Sequence, residues 1–202
     1  MFVITALILW SPVLAQAVSP GLLSGVMLTG RITAAPPRQA TPSGFTIGPG
    51  IRVHLWGGAH VAADFLLHRT EIATSTQQSG RTRVSEWELP VTLAYRFRIP
   101  ARPFVRTGIS FNRVFHITGA VKCVRGPFGE QFYCADGSPI AEVRHAGTLG
   151  PVLGGGFRFR FSRVSLEPEV RWTRWIDRNI GVRDSDVRSN LNQVELLVGL
   201  FF

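Results

Sequence analysis

The chain has 202 residues, 45% of them hydrophobic, and a formal net charge of +9 carried by arginine apart from the single lysine, Lys122. That length holds one domain, or one domain behind an export signal, and no stretch reaches the ~20 apolar residues of a membrane-crossing helix. A basic balance suggests nucleic acid, but an exported chain meets lipid phosphates instead, so no nucleic-acid partner is expected.

Residues 1–17 read as the export signal. An apolar run from Phe2 to Trp10 leads to Pro12 and then to Ala15-Gln-Ala17, a small-residue cleavage pattern, although no Lys or Arg precedes the run. Residues 18–202 are then the mature domain. In chain order the predicted strands are Leu22–Ile32, Phe45–Trp56, Val61–Thr70, Ser85–Arg98, Phe104–Phe115, Thr148–Phe161, Val164–Ile176 and Asn192–Phe202. Each has about the length a tilted strand needs to cross a bilayer. The connections run long, short, long, short. The short ones are 57–60, 99–103 and 162–163; the long ones are 33–44, 71–84, 116–147 and 177–191. Tight periplasmic turns alternating with long extracellular loops give this pattern in an outer-membrane barrel, and an even strand count leaves both termini on the turn side.

Period-2 alternation splits each strand into two faces. In Ser85–Arg98 the odd positions Trp87, Leu89, Val91, Leu93, Tyr95 and Phe97 oppose Glu86, Glu88, Thr92, Ala94, Arg96 and Arg98. Val105, Ile109 and Phe111 oppose Arg106 and Asn112. Phe157, Phe159 and Phe161 oppose Arg158 and Arg160. Leu166, Val170 and Trp172 oppose Glu167, Glu169 and Arg171. In the last strand Val194, Leu196, Val198, Leu200 and Phe202 oppose Gln193, Glu195, Leu197, Gly199 and Phe201. A soluble barrel would turn the apolar face inward and a membrane barrel turns it outward. The export signal, the terminal Phe and the large charged residues on the opposite face favour outward. Pro49, Pro90, Pro151 and Pro168 fall inside strands, where each predicts a bulge or a local break because it lacks an N–H.

The signal, the early strand Gly25-Val-Met-Leu-Thr29, the segment Pro168-Glu-Val-Arg-Trp-Thr-Arg-Trp175 and the C-terminal strand together resemble the small eight-stranded outer-membrane β-barrels of the OmpA/OmpX type. The resemblance covers the mature chain. It implies an all-β, antiparallel, up-and-down transmembrane barrel. It also implies that Phe202 is the assembly signal read by the barrel-assembly machinery, and that the chain resides in the bacterial outer membrane. Fold does not dictate activity.

Four constellations remain. Arg52, His54, Asp64, Glu86, Glu88, Arg96, Arg98, Arg106, Arg158, Arg160, Glu167, Glu169, Arg171 and Glu195 have inward parity. They form a selectivity lining, a proton path or, the favoured reading, an ion network that plugs a lumen just wide enough for its own side chains. A tight turn at Ser162-Arg163 sets Arg158 opposite Glu167 and predicts an ion pair, with Arg160 reaching Glu167 diagonally. Arg69, Arg83, Arg113 and Arg174 have outward parity near the loop ends of their strands. They either hold lipopolysaccharide phosphates or snorkel without a specific lipid. Cys123 and Cys134 read as a disulfide in an exported loop, the alternatives being free thiols or half of a metal site. That loop displays Phe128, Phe132 and Tyr133 to an unknown extracellular ligand. His116 with Thr118 and His145 with Thr148 sit near loops, His116 having inward parity, and neither a Ser nucleophile with a His base two residues away nor an Asp-His dyad accompanies them. No enzyme, cofactor or metal is expected. The expected function is a structural or surface-binding barrel in contact with outer-membrane lipid; the alternatives are a lipid A-modifying enzyme and a small pore.

Overall fold

The computed structural model describes residues 18–29, 32–33, 40–75, 79–121, 141–143, 147–178, 180–182 and 188–202. The proposed signal, Cys123, Cys134, the aromatics of their loop and His145 lie outside the described residues.

Eight antiparallel strands close into a barrel. They are β1 (Val18–Met27), β2 (Ala40–His54), β3 (Ala59–Asp64 continuing as Leu66–Ser75) and β4 (Ser79–Arg96). They continue with β5 (Pro103–Val121), β6 (Gly147–Phe157 continuing as Phe159–Phe161), β7 (Val164–Arg174) and β8 (Asn192–Phe201). Closure comes from β1, which pairs with β2 from Val18↔Val53 to Val26↔Phe45 and with β8 from Gly21↔Phe201 to Met27↔Glu195. The Phe202 amide adds a bond to the Pro20 carbonyl at 3.0 Å. A closed ladder leaves no edge, which is the condition for a sheet to cross lipid.

The alternation reappears as burial. In β4, Glu86, Glu88, Thr92 and Ala94 are buried, whereas Leu89, Val91, Leu93 and Tyr95 are exposed. In β8, Gln193, Glu195, Leu197 and Phe201 are buried, whereas Leu196, Val198, Leu200 and Phe202 are exposed. The apolar face therefore points out of the barrel, forming a continuous belt far larger than water tolerates on a soluble monomer. Trp87 lies across the belt between Phe65 and Phe111, with ring centroids 5.8 and 5.2 Å away, and Tyr95 meets Phe97 edge-on at 5.3 Å. Trp87 lies midway along β4 and Tyr95 near its turn end, so the two groups bracket the apolar stretch Leu89 to Leu93 as interfacial girdles do.

Three departures from the sequence reading have local causes. The strand predicted at Leu22–Ile32 runs Val18–Met27; Pro20 lies within it and, lacking an N–H, still accepts through its carbonyl. The predicted loop 71–84 is largely an extension of the β3–β4 hairpin, paired out to Ser75↔Ser79. Polar Thr, Ser and Arg residues pair as well in water as apolar ones do in lipid, so composition marks where lipid ends rather than where the ladder ends. The prolines mark gaps without a shift of register. β3 breaks at Phe65, opposite Pro49 on β2 and next to the place Pro90 occupies on β4; β6 breaks at Arg158 beside the place Pro168 occupies on β7; and the β6–β7 ladder stops at Val152, next to Pro151. The register shift lies elsewhere, between Ser85 and Glu86, where Phe115 is the extra residue of β5.

At the turn end, residues 55–58 form the β2–β3 connection, with the Ala59 amide bonded to the Trp56 carbonyl at 2.8 Å. Gly57 and Gly58 take φ of 61° and 104°, a region that strains residues with a Cβ. Ser162 supports the β6–β7 turn at φ 54°. At the other end, the short segments Ile32–Thr33, Arg188–Ser189, Ile180–Val182 and Ala141–Val143 pair in that order, so three of the long connections join one another.

Candidate functional site

The inward face gathers the charges into two layers. Toward the turns, Asp64 of β3 receives three guanidinium groups: Arg52 of β2 in a short contact, Arg171 of β7 at 2.8 Å and Arg106 of β5 at 3.6 Å. Glu169 of β7 takes Arg171 through Nε at 3.0 Å and Arg106 at 3.1 Å. Each of these five side chains is at most 2% exposed. Burying an ion is costly without partners, and here Asp64 and Glu169 bridge arginines from three strands. Arg52 also lies 4.1 Å over the ring of Phe201, which packs with Leu23 and Leu66.

Glu167 is the next acceptor toward the mouth. Arg158 Nε lies 3.5 Å from it, in the register the two-residue turn dictates, with Phe159↔Leu166 and Phe161↔Val164 on either side of the hairpin. The contact is not an exclusive pair, however. Arg52 and Arg96 approach the same carboxylate at 3.8 and 3.9 Å, and Arg158 also donates to Ser165 Oγ at 2.8 Å. Glu167→Gln should therefore lower the urea midpoint of the folded barrel more than Arg158→Met does. The first leaves three guanidinium groups short of an acceptor, while the second leaves Glu167 two partners.

The loop-side layer holds His68 of β3, which the sequence reading missed. Its Nε2 lies 2.9 Å from Glu88 of β4, and its Nδ1 lies 3.4 Å from Glu195 of β8. Thr46 of β2 donates to Glu195 at 2.9 Å and stands 2.9 Å from His68 Nδ1. Ser110 and Gln193 donate to Glu88 at 2.7 and 3.3 Å, and Gln193 is itself held by the Trp175 indole at 2.9 Å. Period 2 counted on from Asp64 gives His68 its inward face. No sequence signal joins it to Glu195, 127 positions away.

In sequence, no protein-family model and no curated protein matches the chain. In structure it is similar to the outer-membrane protein OprG of Pseudomonas aeruginosa, with a TM-score of 0.52 over 92% of this chain and 94% of that one, at 12% identity. The chain has the fold of the small eight-stranded outer-membrane barrels. Neisserial surface protein A aligns over 91% of this chain and 94% of its own, at 13% identity and a TM-score of 0.45.

On the outside of this barrel Arg69, Arg83, Arg113 and Arg174 are all exposed. Arg69 stands opposite Phe45 and Arg113 opposite Trp87, at the level of the loop-side aromatics, and Arg83 lies farther out. Two arginines expected in the lumen are not in it. Arg98 follows the end of β4, and Arg160 stands opposite Ser165 near the turn; both are exposed. Parity assigns them a face, but the barrel wall has ended before they can be enclosed. His116 is likewise exposed rather than inward, because the bulge at Phe115 reverses the alternation. His54 is half-buried and stacks on His60 at 5.8 Å.

Proposed function

We propose that the chain is an integral outer-membrane protein of structural or surface-binding type, with a plugged lumen that conducts no ion current, working through its loop-side surface. The observation that carries this reading is the pairing of a continuous outward apolar belt with an inward face whose ionic groups bridge one another across strands. Such a lumen is filled by its own side chains and leaves binding to the rim and loops. The C-terminal strand and Phe202 serve recognition by the assembly machinery. The reading includes no catalysis; His116 and Thr118 are exposed beyond the bulge, opposite Ser85 and Arg83 of β4. Purified barrel reconstituted in planar bilayers should give no discrete conductance steps; regular steps that are altered in Glu167→Gln would establish a pore instead.

The arginine rim holds lipopolysaccharide phosphates. Arg binds phosphate bidentately, and an arginine near the interface costs only ~0–1 kcal/mol, against ~2–4 kcal/mol at the midplane. Changing Arg69, Arg113 and Arg174 together to Gln should reduce lipopolysaccharide co-purifying with folded barrel at least severalfold. An unchanged ratio would reduce the rim to snorkelling side chains.

A further inference from the structure

The loop-side lumen layer is short of positive charge. His68, Glu88 and Glu195 are each at most 2% exposed. A single imidazole therefore stands between two buried carboxylates, while the arginines make their ion pairs with Asp64, Glu167 and Glu169 one layer below. Buried carboxylates need a counter-charge.

One ring nitrogen of His68 and one oxygen each of Glu88 and Glu195 lie within 4.8 Å of one another. We propose that these three residues form a binding site for a divalent first-row transition metal inside the barrel. An imidazole with two carboxylates is a donor set suited to Zn2+, Mn2+ or Fe2+. Two donors at ~2.1 Å from a tetrahedral centre stand about 3.4 Å apart, and His68 Nε2 and Glu88 Oε2, 2.9 Å apart, need only a small opening to take an ion between them. Because one imidazole nitrogen binds one metal, Glu195, on the far side of the ring, reaches the ion by a change of rotamer. Two further observations point the same way. Glu195 Oε2 is buried without a hydrogen-bond partner, which leaves a lone pair for a ligand. Glu88 is also steadied by surrounding donors, as metal-ligating carboxylates are: Ser110 and Gln193. Trp175 fixes Gln193 in turn.

The test uses the full mature barrel in detergent, stripped with chelator and dialysed against Zn2+, with Co2+ as the spectroscopic probe. The Cys123→Ser/Cys134→Ser background removes thiol ligands. The expected result is one metal per barrel, d–d absorption from bound Co2+, and at least a tenfold loss of affinity in both His68→Gln and Glu195→Gln. Ser110→Ala, which removes a steadying hydrogen bond and no ligand, should weaken binding by about tenfold. Each variant is scored only on its heat-resistant folded fraction, so misfolding does not count as lost binding. Folded barrel that retains no metal, or that retains it equally in His68→Gln, would overturn the site and leave the imidazole alone as the bridge between the carboxylates.

Discussion

Asp64→Asn is expected to destabilise the folded barrel by ~3–5 kcal/mol, the cost of removing one partner from a buried ionic group. The substitution keeps the side-chain shape and removes only the charge, so it isolates the electrostatic contribution. Asp64 is 1% exposed and is shared by Arg52, Arg106 and Arg171. With its charge gone, Arg106 and Arg171 must share Glu169, and Arg52 is left with Glu167 at 3.8 Å. Adding Arg52→Met should recover part of the loss, because a long apolar side chain retains the packing against Phe201 while deleting one stranded cation. The measurement is urea-induced unfolding in lipid vesicles, followed by the mobility of the heat-resistant folded species. A loss below ~1 kcal/mol, the worth of an exposed pair, would mean that water already solvates the lumen and would remove the basis for a plug.

The sequence carried the faces of this barrel because alternation is a local property. Trp87 through Phe97 could be placed outward and Glu86 through Arg96 inward without knowing any neighbour. Register was legible wherever a tight turn set it, as at Ser162-Arg163, which aligns Arg158 with Glu167. Two kinds of information were not local. Where the enclosed lumen ends depends on how far each strand is flanked by its neighbours, and this is why Arg98 and Arg160 have the right parity and the wrong environment. Which residues face each other across the lumen depends on stagger accumulated around the closed sheet. Thr46 and Glu195, 149 positions apart, share a hydrogen bond that no pairwise ladder predicts. The slip at Phe115 belongs to the same class, since a bulge answers to its partner strand as much as to its own sequence.

Val91→Arg should cost ~2–4 kcal/mol, and Leu55→Arg only ~0–1 kcal/mol, if the belt faces lipid. Both positions are exposed to a similar degree, 42% and 43%, so a soluble barrel would tolerate arginine equally at either. They differ in depth. Val91 is four residues from Trp87 and four from Tyr95, which at ~3.3 Å per residue is about 13 Å along the strand, or roughly 10 Å of depth at a ~40° tilt. That places it near the middle of an apolar band ~25 Å tall, whereas Leu55 follows the end of β2 at the turns. The cross-strand neighbours of Val91 are Ala63 and Ile109, which offer an inserted guanidinium no acceptor. Its long side chain can reach water only by snorkelling toward an interface. The same unfolding assay, run on both variants in vesicles of matched thickness, decides the outcome. Equal costs would return the chain to the class of soluble barrels, and a cost confined to Val91→Arg would fix the outward face as the one in contact with lipid.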